Sequence, residues 1–512
     1  MYLSALTKVY DPHSQYLSPK TLEDFRIMMK QKLVGIGAIL SIDPRNGYCT
    51  IREIMPGGPA DLDGRLRVND RIVGVAQGPS ELVDVFDMKL RDTVRLIRGK
   101  LGSQVRLEII PADADDTSTR QLVELTRNEI SVTLQKAKAR HITIPASEGA
   151  KEMKLGVIEL PSFYGDDDGN STTADVYALL QELLDVGIDG LVLDLRSNGG
   201  GLLNEAIRLT GLFIDRGPVV QVKNSLGRRT TYEDIEPDAA YKGPLVVLTN
   251  KLSASASEIV AGALQDYARA IVIGDKSTHG KGTVQTVAQL GEYLKRAQEE
   301  AASAGAMKLT VQQFYLPDGE STQGRGVIPD IIFPSVNDYL EIGEDTLPHS
   351  LPWDEISSTE FEPCQDGLSQ IIPSLLSRSL ARVQENEDFS LLLEDISNLR
   401  ERLETKQESL NIAQRLSEKK KRDELSDLKD ARSDAKYDHL PDLISITFNE
   451  DGNLERNVES KTKPTDEDKD STKPNFTVSY TRDPYLQETL NILTDLVLIE
   501  SNQLSLDQVA LS

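Results

Sequence analysis

Histidine, cysteine and long apolar runs are scarce in this sequence, and each scarcity excludes a class of protein. The 512 residues include five histidines and two cysteines, Cys49 and Cys364, without the spacing of a zinc site or a disulfide framework. We therefore expect no metal ion and no other cofactor. No apolar stretch reaches the roughly 20 residues that a transmembrane helix needs.

Positive charge is also in deficit, with 57 Lys and Arg against 82 Asp and Glu and a formal charge of −25. Because phosphate binding needs a basic surface, we expect no nucleic-acid partner. The N-terminus has no basic segment followed by an apolar core, so the sequence shows no signal peptide. We expect it to begin inside a longer precursor, with residues 1–32 as a helical remnant.

The periodicity of apolar residues changes along the chain and suggests three domains after residue 32. Residues 33–120 contain short, glycine-punctuated strands. Residues 121–345 alternate buried strands with helices, which predicts a mostly parallel sheet. From 346 to 512 we expect a helical domain with a charged flexible linker near 451–475. The predicted fold is an α/β core with an inserted small β-rich domain and a helical C-terminal domain.

The segment 251–285 carries a pattern typical of nucleophilic catalysis. A buried strand ends at Asn250, and the small residues SASAS lead into a helix. A serine at such a turn presents its Oγ at the carboxyl edge of the sheet, where helix N-terminal amides stabilise an oxyanion. Ser253, Ser255 and Ser257 are the candidate nucleophiles.

A serine nucleophile needs a base, and Lys281 in GKGTVQ is a better candidate than His279. A lysine acts as a base when burial lowers its pKa toward neutrality, and serine–lysine pairs are a variant of the catalytic triad. If residues 281–285 are extended, Lys281, Thr283 and Gln285 lie on one face of the strand. Gln285 could then hydrogen-bond the lysine amine.

These motifs together resemble those of the bacterial tail-specific, or C-terminal-processing, serine proteases. SASASEI, QDY and GKGTVQ follow DLRSNGGG in the family order, and DPHSQYLSP, STQGRGVIPDI and LPWDEI fit as well. The terminal DPYLQETLNIL resembles the long, periplasmic subgroup with a PDZ domain. The resemblance implies an ATP-independent serine endopeptidase with Ser255 as nucleophile and Lys281 as base. The segment GDKSTHGK makes the spacing between the serine and the lysine one residue longer than is usual in the family.

The resemblance also implies roles for residues around this pair. Gly199 or Gly200 in DLRSNGGG, together with Ala256, would donate the amides of an oxyanion hole. Asp266 matches an aspartate associated with catalysis in some members. On a continuous helix it would lie roughly 16 Å from Ser255, at about 1.5 Å per residue, so we expect a supporting role.

Residues 33–120 resemble a PDZ domain of the circularly permuted bacterial type. The loop in VGIGAIL would bind a terminal carboxylate through backbone amides, and the following strand would pair with the peptide. The residues of this expected site are Gly35, Ile36, Gly37 and Ala38. The resemblance implies that the partners are unfolded or secreted polypeptides with apolar C-termini and an adaptor protein, in the periplasm. It does not indicate an oligomeric state.

Two other functions fit parts of the sequence. A non-catalytic PDZ scaffold on a degenerate protease fold is compatible with the extra residue before Lys281. An α/β hydrolase acting on small esters is compatible with a serine at a strand-to-helix turn. The sequence has no GxSxG motif, however, and no histidine in a convincing context.

Overall fold

Four β-sheets organise the part of the chain that the computed structural model describes. That part consists of residues 2–42, 47–55, 57–114, 116–131, 136–144, 152–293, 304–365, 367–406, 409–435, 441–449, 452–459 and 480–501. An eight-stranded and a five-stranded sheet form the core, a six-stranded sheet forms a small domain, and a two-stranded ribbon lies beside it. No helix in these ranges combines the length and apolarity that crossing a membrane requires.

The first 131 residues contain the N-terminal segment and the small β domain. Their elements are α1 (Tyr2–Thr7), β1 (Gln15–Leu17), α2 (Pro19–Lys30), β2 (Lys32–Gly35), β3 (Ala38–Ile42), β4 (Cys49–Ile54), α3 (Pro59–Asp63), β5 (Arg71–Gln77), β6 (Val83–Asp84), α4 (Leu90–Ile97), β7 (Gln104–Ile110), β8 (Gln121–Thr126) and β9 (Asn128–Ser131). The six-stranded sheet has the order β3-β4-β5-β7-β8, with β6 paired to β5. Helix α4 packs beside the edge strand β3.

Two turns set the course of the chain in this part. The chain turns at Gly37, which has a φ of 76°, so the loop in VGIGAIL separates β2 from β3, as expected. Residues 15–17 of DPHSQYLSP form β1 and pair with a distant strand. Helix α2 begins directly after β1, because Ser18 Oγ accepts from Thr21 N and Pro19 opens the first turn.

The α/β core follows in alternating order. Its elements are β10 (Lys138–Ile144), β11 (Met153–Glu159), α5 (Thr172–Val186), β12 (Gly190–Asp194), α6 (Leu203–Gly211), β13 (Gly217–Asn224), β14 (Arg229–Asp234), β15 (Leu245–Leu248), α7 (Ala256–Asp266), β16 (Ile271–Gly274), β17 (Thr283–Gln289), β18 (Ala306–Tyr315) and β19 (Ile331–Ile332). The C-terminal region contributes α8 (Leu368–Glu385), α9 (Glu387–Thr405), α10 (Ile412–Ala435), β20 (Asp442–Phe448), β21 (Leu454–Val458) and α11 (Pro484–Glu500).

The eight-stranded sheet has the order β19-β16-β15-β12-β11-β10-β20-β21. Neighbours from β19 to β11 are parallel, and the remaining pairs are antiparallel. Strands β12 and β15 are buried at every position, as expected of strands covered on both faces. Helices α5, α6 and α7 pack on one face, and α8 and α11 pack on the other. The predicted α/β core with a small β domain and a helical C-terminal region is confirmed.

The second core sheet is antiparallel, with the order β1-β18-β13-β14 and β17 paired to β18. It therefore combines the N-terminal segment with strands of the core. The C-terminal region also adds strands to the core, because β20 pairs with β10. Residues 454–458 of the predicted flexible linker form β21, which corrects that expectation, and residues 460–475 lie outside the described residues.

Candidate active site

Ser255 lies at the turn between β15 and α7, where the chain leaves the parallel sheet. It directly precedes α7 and has a φ of 59° and a ψ of −112°. This left-handed backbone conformation costs roughly 1–3 kcal/mol in a residue with a side chain. The turn leaves Ser255 partly exposed. A serine held in a strained strand-to-helix turn presents its hydroxyl to a substrate at the edge of the sheet.

The flanking candidates Ser253 and Ser257 are fully buried and have structural hydrogen bonds. Ser253 Oγ donates to Leu195 O at 2.8 Å, and Ser257 Oγ donates to Asn198 O at 2.8 Å. Both hydroxyls therefore tie the nucleophile turn to the loop that follows β12. Of the three serines, Ser255 is the accessible one.

Asn198 is a buried side chain that holds the glycine loop against this turn. Its Nδ2 donates to Leu160 O at 2.8 Å, and its Oδ1 accepts from Gly200 N at 2.9 Å. Its backbone oxygen accepts from Ala254 N at 2.9 Å. Sequence reasoning missed Asn198, because an asparagine before glycines is an ordinary turn former.

The residues predicted to form an oxyanion hole lie side by side. Gly200 has a φ of 97°, and a methyl group on its Cα would lie 2.8 Å from Ser255 Cβ and 3.1 Å from Ala256 N. Only glycine fits this close approach. The Gly200 amide already donates to Asn198, so the expectation that it is free to bind an oxyanion is not met. In the described part of the chain, the amides of Gly199 and Ala256 have no acceptor.

Lys281 lies in the loop between β16 and β17. Burial, and next the positive charge of Lys308, lowers its pKa to about 8, against the opposing charges of Glu344 and Glu258. An amine with this pKa is half neutral at mildly alkaline pH, which a general base requires. Within the described ranges, no hydrogen bond joins the Lys281 amine to Ser255 Oγ.

Glu258 connects the nucleophile to the lysine, and sequence reasoning did not single it out. Its Oε2 accepts from Ser255 N at 2.7 Å and from Lys281 N at 3.0 Å. Its Oε1 accepts from Thr278 Oγ1 at 2.6 Å and from Gly280 N at 2.7 Å. Burial raises the pKa of Glu258 to about 7, although these four donors favour the ionised form. The available signal was the capping-box pattern of a serine followed three residues later by a glutamate.

Gln285 lies on β17, next to Thr283, as the sequence suggested. The strand begins only at Thr283, so Lys281 precedes it, and a bulge lies between Val284 and Gln285. Gln285 Nε2 donates to Thr283 Oγ1 at 2.9 Å and to Thr310 Oγ1 at 3.2 Å. Among the residues described, neither Gln285 Oε1 nor the Lys281 amine has a hydrogen bond to the other.

Glu344 joins the N-terminal segment to the lysine loop. His13 Nε2 lies 2.7 Å from Glu344 Oε2, and Gln323 Nε2 donates to Oε1 at 3.0 Å. Gln323 Oε1 in turn accepts from Gly282 N at 2.8 Å, next to Lys281. Burial would raise the pKa of Glu344, but the contact with His13 brings it below its ordinary value. Sequence spacing gave no signal, since 331 positions separate Glu344 from His13.

His279, the alternative base, faces Glu344 instead of the nucleophile. Its Nδ1 lies 3.9 Å from Glu344 Oε2, which is too far for a hydrogen bond, and its backbone amide donates to Ser253 O at 2.9 Å. Burial lowers the pKa of His279. The contacts therefore favour a role in holding the loop.

Asp266 lies at the opposite end of α7 from Ser255. Because α7 runs from Ala256 to Asp266 without a break, the two residues are roughly 16 Å apart at about 1.5 Å per residue. Asp266 Oδ2 accepts from Asp318 N at 3.0 Å. Burial, and then the charge of Asp318, raises the pKa of Asp266 to about 7. These contacts are those of an acid that caps a turn.

The expected peptide site in the small β domain is the loop between β2 and β3. The carbonyl oxygens of Ile36 and Gly37 accept from amides of the next turn at 2.8 Å each. In the described part of the chain, the amides of these two residues have no acceptor. Gly35 ends β2 and Ala38 begins β3, whose outer edge has no strand partner in the six-stranded sheet. The arrangement can accept a carboxylate and an added strand.

Three family models match separate parts of the chain. Residues 25–110 match the PDZ domain, residues 154–333 match peptidase family S41, and residues 337–498 match the C-terminal domain of tail specific protease. The serine, the lysine and the glycine loop lie in the second range, and the β2–β3 loop lies in the first.

Relatives with similar sequences are proteases. A tail-specific protease of Haemophilus influenzae is 38% identical over 425 residues, which are 83% of this chain and 58% of that protein. A chloroplastic C-terminal processing peptidase of Tetradesmus obliquus is 32% identical over 63% of this chain and 64% of that protein. The chain thus spans less than two thirds of the length of either relative. A solved structure of a photosystem II D1 C-terminal processing protease is 31% identical, covering 65% of this chain and 80% of that one with a TM-score of 0.37.

Proposed function

Because the chain belongs to the tail-specific proteases of peptidase family S41, we propose that it is a serine endopeptidase that works without ATP or another cofactor. One observation carries the proposal. An accessible serine in a strained turn and a lysine with a lowered pKa are held by the same carboxylate, since the backbone amides of Ser255 and Lys281 both donate to Glu258 Oε2. A shifted pKa beside an accessible nucleophile is typical of catalytic sites.

The first half of the proposed reaction is acylation of the serine. Ser255 Oγ attacks the carbonyl carbon of a peptide bond, and the neutral amine of Lys281 accepts the hydroxyl proton. The amides of Gly199 and Ala256 then donate to the oxyanion, where preorganised donors contribute most to catalysis. The lysine returns its proton to the leaving amine as the peptide bond breaks.

The second half releases the acyl group. A water molecule attacks the ester, Lys281 takes a proton from it, and the proton passes to Ser255 Oγ as the serine is regenerated. Ser255 and Lys281 need a separation that permits proton transfer, and no hydrogen bond joins them in the described residues. We therefore propose that substrate binding closes this distance, with Gln285 as the partner that directs the amine.

The small β domain is proposed to choose the substrate by its C-terminal tail. The carboxylate would bind the amides of Ile36 and Gly37, and the tail would extend the sheet along β3. A methyl group on Gly37 would lie 3.0 Å from Gly58 Cα, so a side chain cannot enter this loop. Arg98 lies beside the loop, with its Cγ 4.0 Å from the Cβ position of Gly35, and its guanidinium forms an ion pair with Asp24 at 3.6 Å.

The family resemblance supports further proposals about context. We propose apolar tails on unfolded or secreted proteins as substrates, an adaptor protein as second partner, and the periplasm as the site of action. We propose the domain limits 1–32, 33–120, 121–345 and 346–512.

Proteolysis of casein tests the proposed pair. Ser255→Ala and Lys281→Ala should each lower the rate by about a thousandfold or more, whereas the matched surface variants Ser118→Ala and Lys242→Ala should keep it. Proteolysis that survives in both site variants would reject the pair. Tail binding without cleavage by the wild type would indicate a scaffold, and cleavage of small esters alone would indicate a hydrolase.

The tail-sensing role needs a separate comparison. Wild type and Gly37→Val should be assayed on one polypeptide with and without an apolar C-terminal tail. We expect the wild type to prefer the tailed form and the variant to lose that preference. Equal turnover of both forms by the wild type would remove the proposed role of the loop.

A further inference from the structure

The segment before β1 carries a buried carboxylate that reaches the five-stranded sheet. Asp11 is 5% exposed, and its Oδ1 accepts from Thr310 Oγ1 at 2.8 Å. Its Oδ2 accepts from Ser14 Oγ, and Ser14 Oγ accepts from Thr310 N at 3.1 Å. The pairing of β1 with β18 and the packing of Leu17 against Ala306 hold this segment in place.

The ionised state of Asp11 follows from its partners. Burial alone would raise the pKa of Asp11, but hydrogen bonds from Ser14, Thr310 and two backbone amides bring it below its ordinary value. Among the described residues, every hydrogen-bond partner of the carboxylate is a donor. Asp11 therefore accepts hydrogen bonds only, throughout the pH range in which a lysine base is active.

This state fixes the direction of the hydrogen bonds that follow. The single hydroxyl proton of Thr310 must point to Asp11, so Thr310 Oγ1 can only accept from Gln285. The amide group of Gln285 must therefore point its NH₂ group toward Thr310. This agrees with the hydrogen bond of 3.2 Å from Gln285 Nε2 to Thr310 Oγ1. The amide oxygen is thereby directed away from Thr310, and no donor in the described residues occupies it.

We propose that Asp11 is a positioning residue for the lysine base, acting through Thr310 and Gln285. The chain of hydrogen bonds presents Gln285 Oε1 as an acceptor for the Lys281 amine. It then aims the amine's lone pair at the serine hydroxyl. This inference rests on the proposed serine–lysine mechanism. According to this proposal, Asp11 supports the base Lys281, although it precedes it by 270 positions in the sequence.

The charges of this region agree with the assignment. The carboxylate of Asp11 acts on both Lys281 and Lys308, in each case opposing the fall in pKa that burial causes. Asp11 is thus close enough for its charge to act on the base. Replacing Asp11 by asparagine removes that charge and the enforced direction together, whereas a change at Thr310 removes the direction alone.

Three variants of the 512-residue chain, Asp11→Asn, Thr310→Val and Thr310→Ser, test this series of hydrogen bonds from Asp11 through Thr310 to Gln285, called here the relay. Turnover of a tailed polypeptide and the rate at which a fluorophosphonate phosphonylates Ser255, with loss of fluoride, should be measured from pH 6 to 10. We expect Thr310→Val to lower kcat and the phosphonylation rate about tenfold, with KM changed less than about twofold. Thr310→Ser should restore most of the loss. Asp11→Asn should lower kcat similarly and move the acidic limb of the pH profile to lower pH, because the ammonium loses a favourable charge.

Tyr16→Phe is the matched control, because it removes a hydrogen bond from the same segment to Ala304 O without touching the relay. The relay is overturned if Asp11→Asn and Thr310→Val keep wild-type kcat and pH profile, or if Tyr16→Phe lowers the phosphonylation rate as much as they do. Ser255→Ala and Lys281→Ala separate this outcome from a failure of the proposed function. If either retains wild-type turnover, the serine–lysine mechanism fails and the relay fails with it. If both are inactive while Thr310→Val is normal, only the relay is rejected.

Discussion

The nucleophile and the lysine occupy two sides of the site that are built in opposite ways. The serine side consists of β12, β15 and α7, which all lie within residues 190–266. Strands β12 and β15 are parallel neighbours that are buried on both faces. The lysine side combines β17 and β18 with a strand from the N-terminus and a carboxylate from residue 344.

The difference concerns how each side is held, and it has a physical consequence. The serine turn is fixed by hydrogen bonds from Ser253 and Ser257 to the loop after β12, at the edge of a parallel sheet whose strands are buried. The lysine loop lies between strands, where Glu258 and Gln323 accept from its backbone amides. A loop held by a few side chains opens at lower free energy than the edge of a buried sheet. We expect substitutions on the lysine side to change the pH profile, and substitutions on the serine side to change the rate at every pH.

Replacing Glu258, whose carboxylate accepts hydrogen bonds from both sides of the site, should have the largest effect on kcat. In Glu258→Gln, the amide NH₂ replaces an acceptor of two hydrogen bonds and meets donors, so the Ser255 turn and the Lys281 loop lose a common support. We expect kcat to fall about a hundredfold or more, since a displacement of about 1 Å at a reacting group has that effect. Steady-state kinetics on a peptide substrate measures the change.

Glu205→Gln provides the matched control for that prediction. Glu205 is also a buried carboxylate in the first turn of a core helix, and it accepts from Ser171 and Thr173. Its loss should lower stability while kcat per folded molecule stays near that of the wild type. Equal losses of kcat in both variants would mean that Glu258 supports the fold and not the site in particular.

The same contrast explains what could be predicted from the sequence. The parallel strands and the turn at Ser255 follow from apolar runs and small residues over a few positions, because buried strands and helix starts have local signatures. The contacts of Asp11 and Glu344 had no such signature, since they depend on β1 joining β18. The bulge between Val284 and Gln285 likewise has no reliable sequence signal.

The pH dependence of activity should reveal the titration of both Lys281 and Glu258. The pKa of Lys281 is lowered to about 8, so its active neutral form gains about tenfold per pH unit up to that value. The pKa of Glu258 is raised to about 7, so below pH 7 a second group becomes protonated and interrupts the bridge. We expect kcat/KM to rise with a steeper slope below pH 7 than between pH 7 and 8. A flat profile from pH 6 to 9 would contradict the assignment of Lys281 as base.

Lys308→Met should test the lysine side with a smaller effect. The positive charge of Lys308 is the second cause of the lowered pKa of Lys281. Without that repulsion the ammonium form is more stable, so the acidic limb should move to higher pH and activity at pH 7 should fall a few-fold. Activity at pH 9 should stay near the wild-type value. Lys223→Met, which removes a charge from β13 in the same sheet, should leave the limb unchanged, and an equal shift in both variants would point to net charge alone.

Asp266→Asn should have the smallest effect, because Asp266 is a full helix length from the nucleophile. We expect kcat to stay within about twofold of the wild type. The pKa of Asp266 is raised from 3.8 to about 7, so the folded state disfavours its charged form. The stabilisation that the protonated carboxyl of Asp266 gives the folded state is fully present below pH 3.8 and is lost as the pH rises through about 7. The uncharged variant should therefore match the wild type at pH 4 and exceed it at pH 8 by at most about 1 kcal/mol, given the partial exposure of the side chain. Urea unfolding at both pH values measures the difference, and a loss of activity comparable to that of Ser255→Ala would instead assign Asp266 to the serine side of the site.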